Sequence, residues 1–228
     1  VFGLLPPSAH GGKYKALQKQ LWAFWERVTG QEYDIAILNG DLIDGGIDIQ
    51  YHVTMDRSEQ VQLAEEAMRA VQAKKVYITL GTPLHTGGEG VFERLLPGDV
   101  KEEHRLKIEG LNVHVRHKVP VSKTGYGQET LLARDALAQV VADSHLLVGD
   151  RPRLVVRGHA HRYVRTNNEI VDGLIVPCLQ YPYSWYGATI SRWQYAMGVC
   201  VMIVDGEAYT VEPHLISLVG GWLRYAKV

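Results

Sequence analysis

Arg157-Gly158-His159-Ala160-His161 is the stretch on which the reading of this chain turns. It follows the apolar run Leu154-Val155-Val156, which reads as a short buried strand ending in a glycine turn. Two imidazoles two residues apart, just past a strand end, can aim at one small volume. Neutral imidazole is the commonest protein metal ligand. A lone His-x-His is more often a pair of turn histidines, but here the other apolar strands also end in ligand-type residues. Asp34 to Leu38 runs into Asn39-Gly40-Asp41-Leu42-Ile43-Asp44. Lys75 to Leu80 runs into Gly81-Thr82-Pro83-Leu84-His85, and Leu111 to Val115 leads to His117-Lys118-Val119-Pro120.

Between these strands the apolar spacing predicts helices. Leu17, Leu21, Phe24 and Val28 share one face of a helix over Lys13 to Val28, closed by Gly30. A second helix is expected from Ser58 to about Ala73, a short one over Gly90 to Leu96, and a long one from Gln128 to Leu147. The order helix, strand, helix, strand, strand, helix, strand argues an α/β fold with strands buried on both faces. After His161 the pattern turns to β. Tyr163 to Thr166, Ile170 to Cys178, Met197 to Asp205 and Ala208 to Pro213 read as strands, with Asp205-Gly206 a hairpin turn. Gln180 to Tyr195, dense in Tyr and Trp, reads as a loop packed over something. Repeats, low-complexity tracts and linkers are missing from the sequence. The expectation is one domain over residues 1–228, an α/β half at 1–161 joined to a β-rich half at 162–228.

Composition bounds the function. The 228 residues include 46% hydrophobic and 21% charged, ordinary for a globular chain, and suffice for a sizeable core. A net charge of −1 gives no global basic field to draw nucleic acid. Cys178 and Cys200 lie far apart in apolar runs, which suggests reduced, buried thiols and a cytoplasmic setting. No apolar run approaches a membrane span and no secretory signal is visible.

Ligands of open α/β sheets bind outside the carboxyl ends of the strands. There this chain carries one carboxylate, Asp41, and several imidazoles. Such a mixed oxygen and nitrogen set suits Mn, Fe or Zn better than Ca, which takes oxygen alone. A carboxylate can bridge two such ions. Two ions roughly 3.5–4 Å apart hold phosphate oxygens, supply hydroxide at neutral pH and stabilise a leaving oxygen.

Gly40-Asp41-Leu42-Ile43-Asp44 resembles the Gly-Asp-x-x-Asp motif of calcineurin-like metallophosphoesterases, and Gly158-His159-Ala160-His161 resembles their Gly-His-x-His motif. His117-Lys118-Val119-Pro120 is similar to the motif between them, and the order agrees along roughly the whole chain. The opening Gly3-Leu4-Leu5-Pro6-Pro7 with its early Trp-containing helix also resembles phage and prophage members. The resemblance implies a four-layer fold, two mixed β-sheets packed face to face and flanked by helices. It implies two divalent cations, with Asp41 bridging them, His117 and His159 on one, His161 on the other, and Asp44 orienting a neighbour. It implies hydrolysis of a phosphomonoester or phosphodiester, with a nucleotide or nucleic acid among the substrates. Two alternatives stand beside it: a DNA-end nuclease of the same fold, and a catalytically inactive binding or assembly protein that retains the fold.

The sequence departs from the family pattern twice. Family members open with Asp-x-His at the end of a first strand, and none stands here; His10 reads as a surface residue. The missing strand would lie inside the sheet beside the one ending at Asp41, so further residues upstream of Val1 are expected, on the order of one strand and its turn. Second, the family's Gly-Asn-His is replaced by Gly81-Thr82-Pro83. Thr82 offers a hydroxyl in place of an amide oxygen, and Pro83 cannot act as an acid. His85, two residues on, becomes the candidate general acid. Of the other polar residues, His104, His114, His145 and His214 are expected at the surface or at helix ends, His114 being the one best placed to approach the metals. Asp48 and His52 are candidates to line the entrance, and Arg57, Arg94 and Arg192 to hold phosphate. Trp185, Tyr186, Trp193 and Tyr195 could stack on a base but read slightly better as core.

Overall fold

The computed structural model describes residues 3–45, 53–87, 90–181 and 195–216. Helix α1 (Lys15–Thr29) turns Leu21, Phe24, Trp25 and Val28 inward at helical spacing, and Gly30 closes it by donating to the Glu26 carbonyl. Strand β1 (Tyr33–Asn39) follows. Helix α2 (Arg57–Met68) is capped by Asp56, whose Oδ1 accepts from the Ser58 and Glu59 amides. Then come β2 (Ala73–Thr79), the single turn α3 (Pro83–Thr86), β3 (Asp99–Lys101), β4 (Glu103–Ile108) and β5 (Leu111–Arg116). Helix α4 (Gly125–Ala142) leads to β6 (Leu154–Arg157), β7 (Val164–Thr166), β8 (Asp172–Ile175), β9 (Gly198–Asp205) and β10 (Ala208–Leu215).

Three strands, β1-β2-β3, form a parallel sheet, and five form a mixed sheet in the order β4-β5-β6-β8-β7. Strands β9 and β10 make an antiparallel hairpin. One face of the five-stranded sheet carries Leu111, Val113, Val115, Leu154, Val156 and Leu174. Against it pack Ile37 from β1 and Met202, Val204, Tyr209 and Val211 from the hairpin. Its other face is covered by Leu132 and Ala136 of α4. The outer side of β2 meets Val61 of α2, and the outer side of the hairpin meets Leu21, Phe24 and Val28 of α1. The result is four layers, helix, strand, strand, helix. Each fully buried Leu or Val in them contributes about 1.5–3 kcal/mol of burial.

Register sets the site. In the parallel pairs Asn39 lies beside Thr79, and Arg116 lies beside Arg157. The turns after β1 and β2 therefore leave the first sheet together, and those after β5 and β6 leave the second together.

Several boundaries differ from the sequence expectation. Helix α2 stops at Met68, because Gln72 is already committed to the sheet, its carbonyl accepting from the Tyr33 amide. Helix α4 begins three residues early, since Thr124 caps it through the Gly127 amide, and it ends at Ala142. The short helix expected over 90–96 is a 3-10 turn, Glu93–Leu95. Strands β3 and β4 escaped notice because charged residues hide their alternation. His104 and His114, expected at the surface, are both buried. His104 Nε2 sits 2.9 Å from the Ile78 carbonyl, and His114 lies on β5, away from Asp41. His145 and His214 are exposed. No described helix is long and apolar enough to cross a membrane.

Candidate metal centre

The turn after β1 is built around a close approach. Gly40 takes a φ of 73°, and a Cβ there would fall 2.6 Å from His117 Nδ1. Gly81, on the neighbouring turn, has no room either: its Cβ would meet Asp41 Oδ1 at 2.2 Å. These two glycines let Asp41 sit between the Thr82 turn and the His117 ring. Asp41 Oδ1 accepts from the Thr82 amide at 2.6 Å and from the Thr82 hydroxyl at 3.1 Å. Its other oxygen, Oδ2, lies 2.9 Å from His117 Nε2 and 4.0 Å from His159 Nδ1.

Asp41, His117 and His159 offer ligand atoms that all lie within 4.8 Å of one another. His161 lines the same cleft, as do His85 and Asp44. Its Nδ1 is 3.2 Å from the Tyr195 hydroxyl, which itself donates to the Gln180 carbonyl. The His161 ring nitrogen therefore donates to that hydroxyl, and Nε2 is left with the lone pair. His85 Nδ1 donates to the Asp44 carbonyl at 3.0 Å, so Asp44 touches this histidine through its backbone. The Thr82 hydroxyl is turned to Asp41.

The backbone records the same concentration. Asp41, His159 and His161 hold φ values of 56°, 63° and 51°, a left-handed conformation that costs a non-glycine residue on the order of 1–2 kcal/mol. Three of the four residues singled out from sequence as ligands carry this strain.

Electrostatics explains what the geometry lacks. His117 Nδ1 is 2.6 Å from the Asn39 carbonyl, which can only accept, so that nitrogen carries the hydrogen. In the neutral ring Nε2 then presents a lone pair to the Asp41 carboxylate. It is buried and makes no aligned hydrogen bond. Two acceptors face each other across 2.9 Å. Only a positive charge between them, a proton or a cation, removes the repulsion. Burial works against charge on His117, but Asp41, the Asn39 carbonyl and Glu93 outweigh it and raise its pKa. Burial likewise opposes charge on Asp41, yet His117 and His159 hold its carboxyl well below the usual range. His161 is pushed down to about 3, by burial first and then by the neighbouring imidazoles, against the pull of Asp41. It is a neutral ligand-type ring at neutral pH.

Two residues at the site gave no signal in the sequence. Glu93 is fully buried and accepts from the Leu42 amide with Oε1 and from the Gly81 amide with Oε2, both at 2.7 Å. One carboxylate thus ties the two turns that cradle Asp41. Asn39 supplies the carbonyl that fixes His117, and its side-chain oxygen accepts from Thr79. Of the remaining candidates, Arg57 lies over the Phe92 ring, 5.2 Å from its centre, and Arg94 is exposed. His10 Nε2 is 2.8 Å from the Leu5 carbonyl. Both cysteines are free, and burial raises the Cys178 thiol to about 11. Asp48, His52, Trp185, Tyr186, Arg192 and Trp193 lie outside the described residues.

Comparison with solved structures bears on the fold. Wild-type Vps29 from Entamoeba histolytica, complexed with Zn²⁺, matches over 85% of this chain and 87% of its own, with a TM-score of 0.50 and 13% identity. The fold is the metallophosphoesterase fold. A novel archaeal phosphodiesterase matches over 79% of this chain and 99% of its own, at 10% identity and a TM-score of 0.41. Vacuolar protein sorting 29 from Cryptosporidium parvum matches over 80% and 97%, at 14% identity and a TM-score of 0.38. No protein-family model matches the sequence, and no curated protein matches it. The Asp41 turn, the His117 turn and the Gly158-to-His161 turn meet at one end of the two sheets, as the register requires.

Proposed function

We propose that this chain is a metal-dependent phosphoesterase. The observation that carries the reading is the pair of acceptors at His117 Nε2 and Asp41 Oδ2, 2.9 Å apart in a buried, strained pocket. The donor set fits a divalent cation: one carboxylate and imidazoles whose other nitrogens are fixed by hydrogen bonds, as metal-ligating histidines require. Asp41, His117 and His159 would hold one ion, and Asp41 with His161 a second; Mn, Fe or Zn suits these atoms. Such ions supply Lewis acidity toward phosphate oxygens and a nucleophile at neutral pH.

The protein's own residues do the rest. Asn39 and Tyr195 orient the rings of His117 and His161. Thr82 holds Asp41 from behind. His85 keeps its Nδ1 hydrogen on the Asp44 carbonyl; in its imidazolium form it carries a second hydrogen on Nε2, and that one would pass to the leaving oxygen. The substrate is a phosphomonoester or phosphodiester, and a nucleotide fits that chemistry.

One observation favours a second reading. The amide and hydroxyl hydrogens of Thr82 are both spent on Asp41, which leaves this position no donor to offer a phosphate. A metal-loaded binding protein without turnover would look the same. Metal analysis of the purified chain, with hydrolysis of an aryl phosphate and its diester, separates the readings. Bound divalent metal with turnover of either ester is the expected result. Metal without turnover selects the binding protein, and a chain that takes up no Mn, Fe or Zn ends both.

A further inference from the structure

Arg57 opens α2 beside the turn that carries His85. Gly87, two residues past His85, is its near neighbour: a Cβ there would lie 3.9 Å from Arg57 NH1 and 3.1 Å from the Phe92 ring. The guanidinium is spread over that ring, 5.2 Å from its centre. The segment that carries Arg57 is tied to the candidate site. Gln60 Nε2 donates to the Gly45 and Thr54 carbonyls, Gln60 Oε1 accepts from the Gly45 amide, and the neighbouring Asp44 carbonyl holds His85. Val53, Thr54 and Gln60 line the same cleft as His85, Asp41 and His161.

Arg57 differs from the other arginines in having no acceptor. Arg105, Arg116 and Arg157 each donate to a carboxylate, and Arg151 and Arg153 donate to carbonyls. Arg57 NH1 is buried and unbonded among the described residues, and its other two nitrogens, also unbonded, keep contact with solvent. A buried charged donor without an acceptor is costly, and native structures keep few of them. The Phe92 ring attracts the cation but offers it no lone pair. The surroundings do not share the charge either. Arg57 is the one lysine or arginine in residues 53–60 and 82–87, and Met55 and Leu84 beside it are exposed apolar side chains. A lone cation, held flat on a ring with its hydrogens unspent, is suited to an incoming anion.

We propose that Arg57 determines specificity, and that the alcohol released at this site carries a second phosphate, which Arg57 holds. The phosphoesterase reading supplies the direction. His85 marks the side on which the leaving oxygen departs, so the group attached to that oxygen extends past His85 toward Gly87 and Arg57. All five guanidinium hydrogens are unspent, and a phosphate presents three acceptor oxygens where a carboxylate presents two. The second phosphate can belong to a small phosphorylated alcohol or to the next linkage of a nucleic acid strand.

The test compares propane-1,3-diol monophosphate with its 1,3-bisphosphate, which differ only in the second phosphate. A thymidine dinucleotide with and without a terminal phosphate is the matched strand-like pair. Binding is measured by calorimetry on the purified chain with Mn²⁺, and turnover on the same samples. The doubly phosphorylated member of at least one pair is expected to bind about 10–100-fold tighter. A preference within the diol pair assigns a small phosphorylated alcohol, and one confined to the dinucleotides assigns a strand. Arg57→Gln should abolish the preference and leave the singly charged partner unchanged, and Arg57→Lys should keep part of it. If Arg57 served only to brace Phe92, Arg57→Gln would weaken both members of a pair alike and lower Tm; that result overturns the proposal. Equal binding within both pairs, or no binding of any of the four, also overturns it. Turnover without preference would refute this proposal and keep the phosphoesterase reading. Preference without turnover would refute that reading and leave a second-phosphate site at Arg57.

Discussion

Two clusters in this molecule draw on the same residue types, and they resolve their charge in opposite ways. At the ends of the sheets, Asp41, His117 and His159 meet on backbone held in the left-handed region at two of the three positions. Between the five-stranded sheet and α4, His114, Glu103, Arg157 and Asp135 meet on regular strand and helix backbone. Arg157 can only donate, and its NH1 is 3.1 Å from His114 Nδ1, so His114 carries its hydrogen on Nε2, 3.1 Å from Glu103. That nitrogen turns a hydrogen toward a carboxylate, although it too makes no aligned hydrogen bond. His117 Nε2 faces one as an acceptor. The inner cluster contains its own cation; the outer one has an opening for a cation from outside. Burial lowers the Arg157 pKa to about 10, which still leaves the guanidinium charged at neutral pH. The presence of histidine and carboxylate does not separate a metal centre from an internal ion network. What separates them is which ring nitrogen holds the hydrogen.

The contrast can be broken by exchanging one histidine in each cluster. His117→Gln should abolish stable metal retention and, with it, any ester hydrolysis, with little loss of fold. His114→Gln should keep the metal and lower stability by about 1–3 kcal/mol, because Glu103 and Arg157 lose a buried partner. For a chain of this size that is roughly 2–4 °C in Tm per kcal/mol. Metal content and thermal melts on both variants decide it, and loss of metal from His114→Gln would erase the distinction. A smaller effect is expected at Glu93→Gln. The amide keeps one acceptor for two backbone donors, the turns at Leu42 and Gly81 loosen, and metal affinity should fall about 10–100-fold in a chelator competition. His85→Ala should lower turnover by about 10²–10⁴ at unchanged metal content; an unchanged rate removes His85 from the chemistry.

The smallest effect is a slope with pH. His114 sits at about 4 in the folded metal-free chain, lowered by burial first and then by Arg157. Between the ordinary histidine value near 6.5 and about 4, the unfolded chain binds a proton that the folded chain refuses. Stability is therefore complete above that window and declines as pH falls through it. His161 shares the sign over a wider range, down to about 3, and His117, raised in pKa, opposes it. His114→Gln should flatten part of the acid slope seen in denaturant titrations of the EDTA-treated chain. A slope that does not change would move the acid sensitivity to the outer cluster.

How much of this was legible beforehand follows from where each residue sits. Asp41, His159 and His161 could be read because each stands just past an apolar run and beside or near a glycine, and His117 because it stands at the end of an apolar run three residues ahead of Pro120, local signals that survive in one dimension. The helices and the strands β1, β2, β5, β6, β9 and β10 carried ordinary periodicity. Strand β4 did not, because it alternates Glu103, Arg105 and Lys107 with its inward residues and, among the described residues, pairs with β5 alone. Glu93 could not be found, since its value lies in reaching amides 51 and 12 residues away. The burial of His104 and His114 was equally hidden: both depend on carbonyls and charges supplied by other strands. The residues that meet at the candidate site were marked by local grammar, and those that position them were marked only by the fold.

The left-handed turns at His159 and His161 have a consequence for anyone who edits this chain. Glycine tolerates that conformation freely, so a His159→Gly change deletes a ring and relaxes a torsion in one stroke. Selection for thermal robustness alone would drift toward such replacements and return sturdier, chemically blind descendants. At these two positions a histidine costs backbone strain that a glycine would relieve.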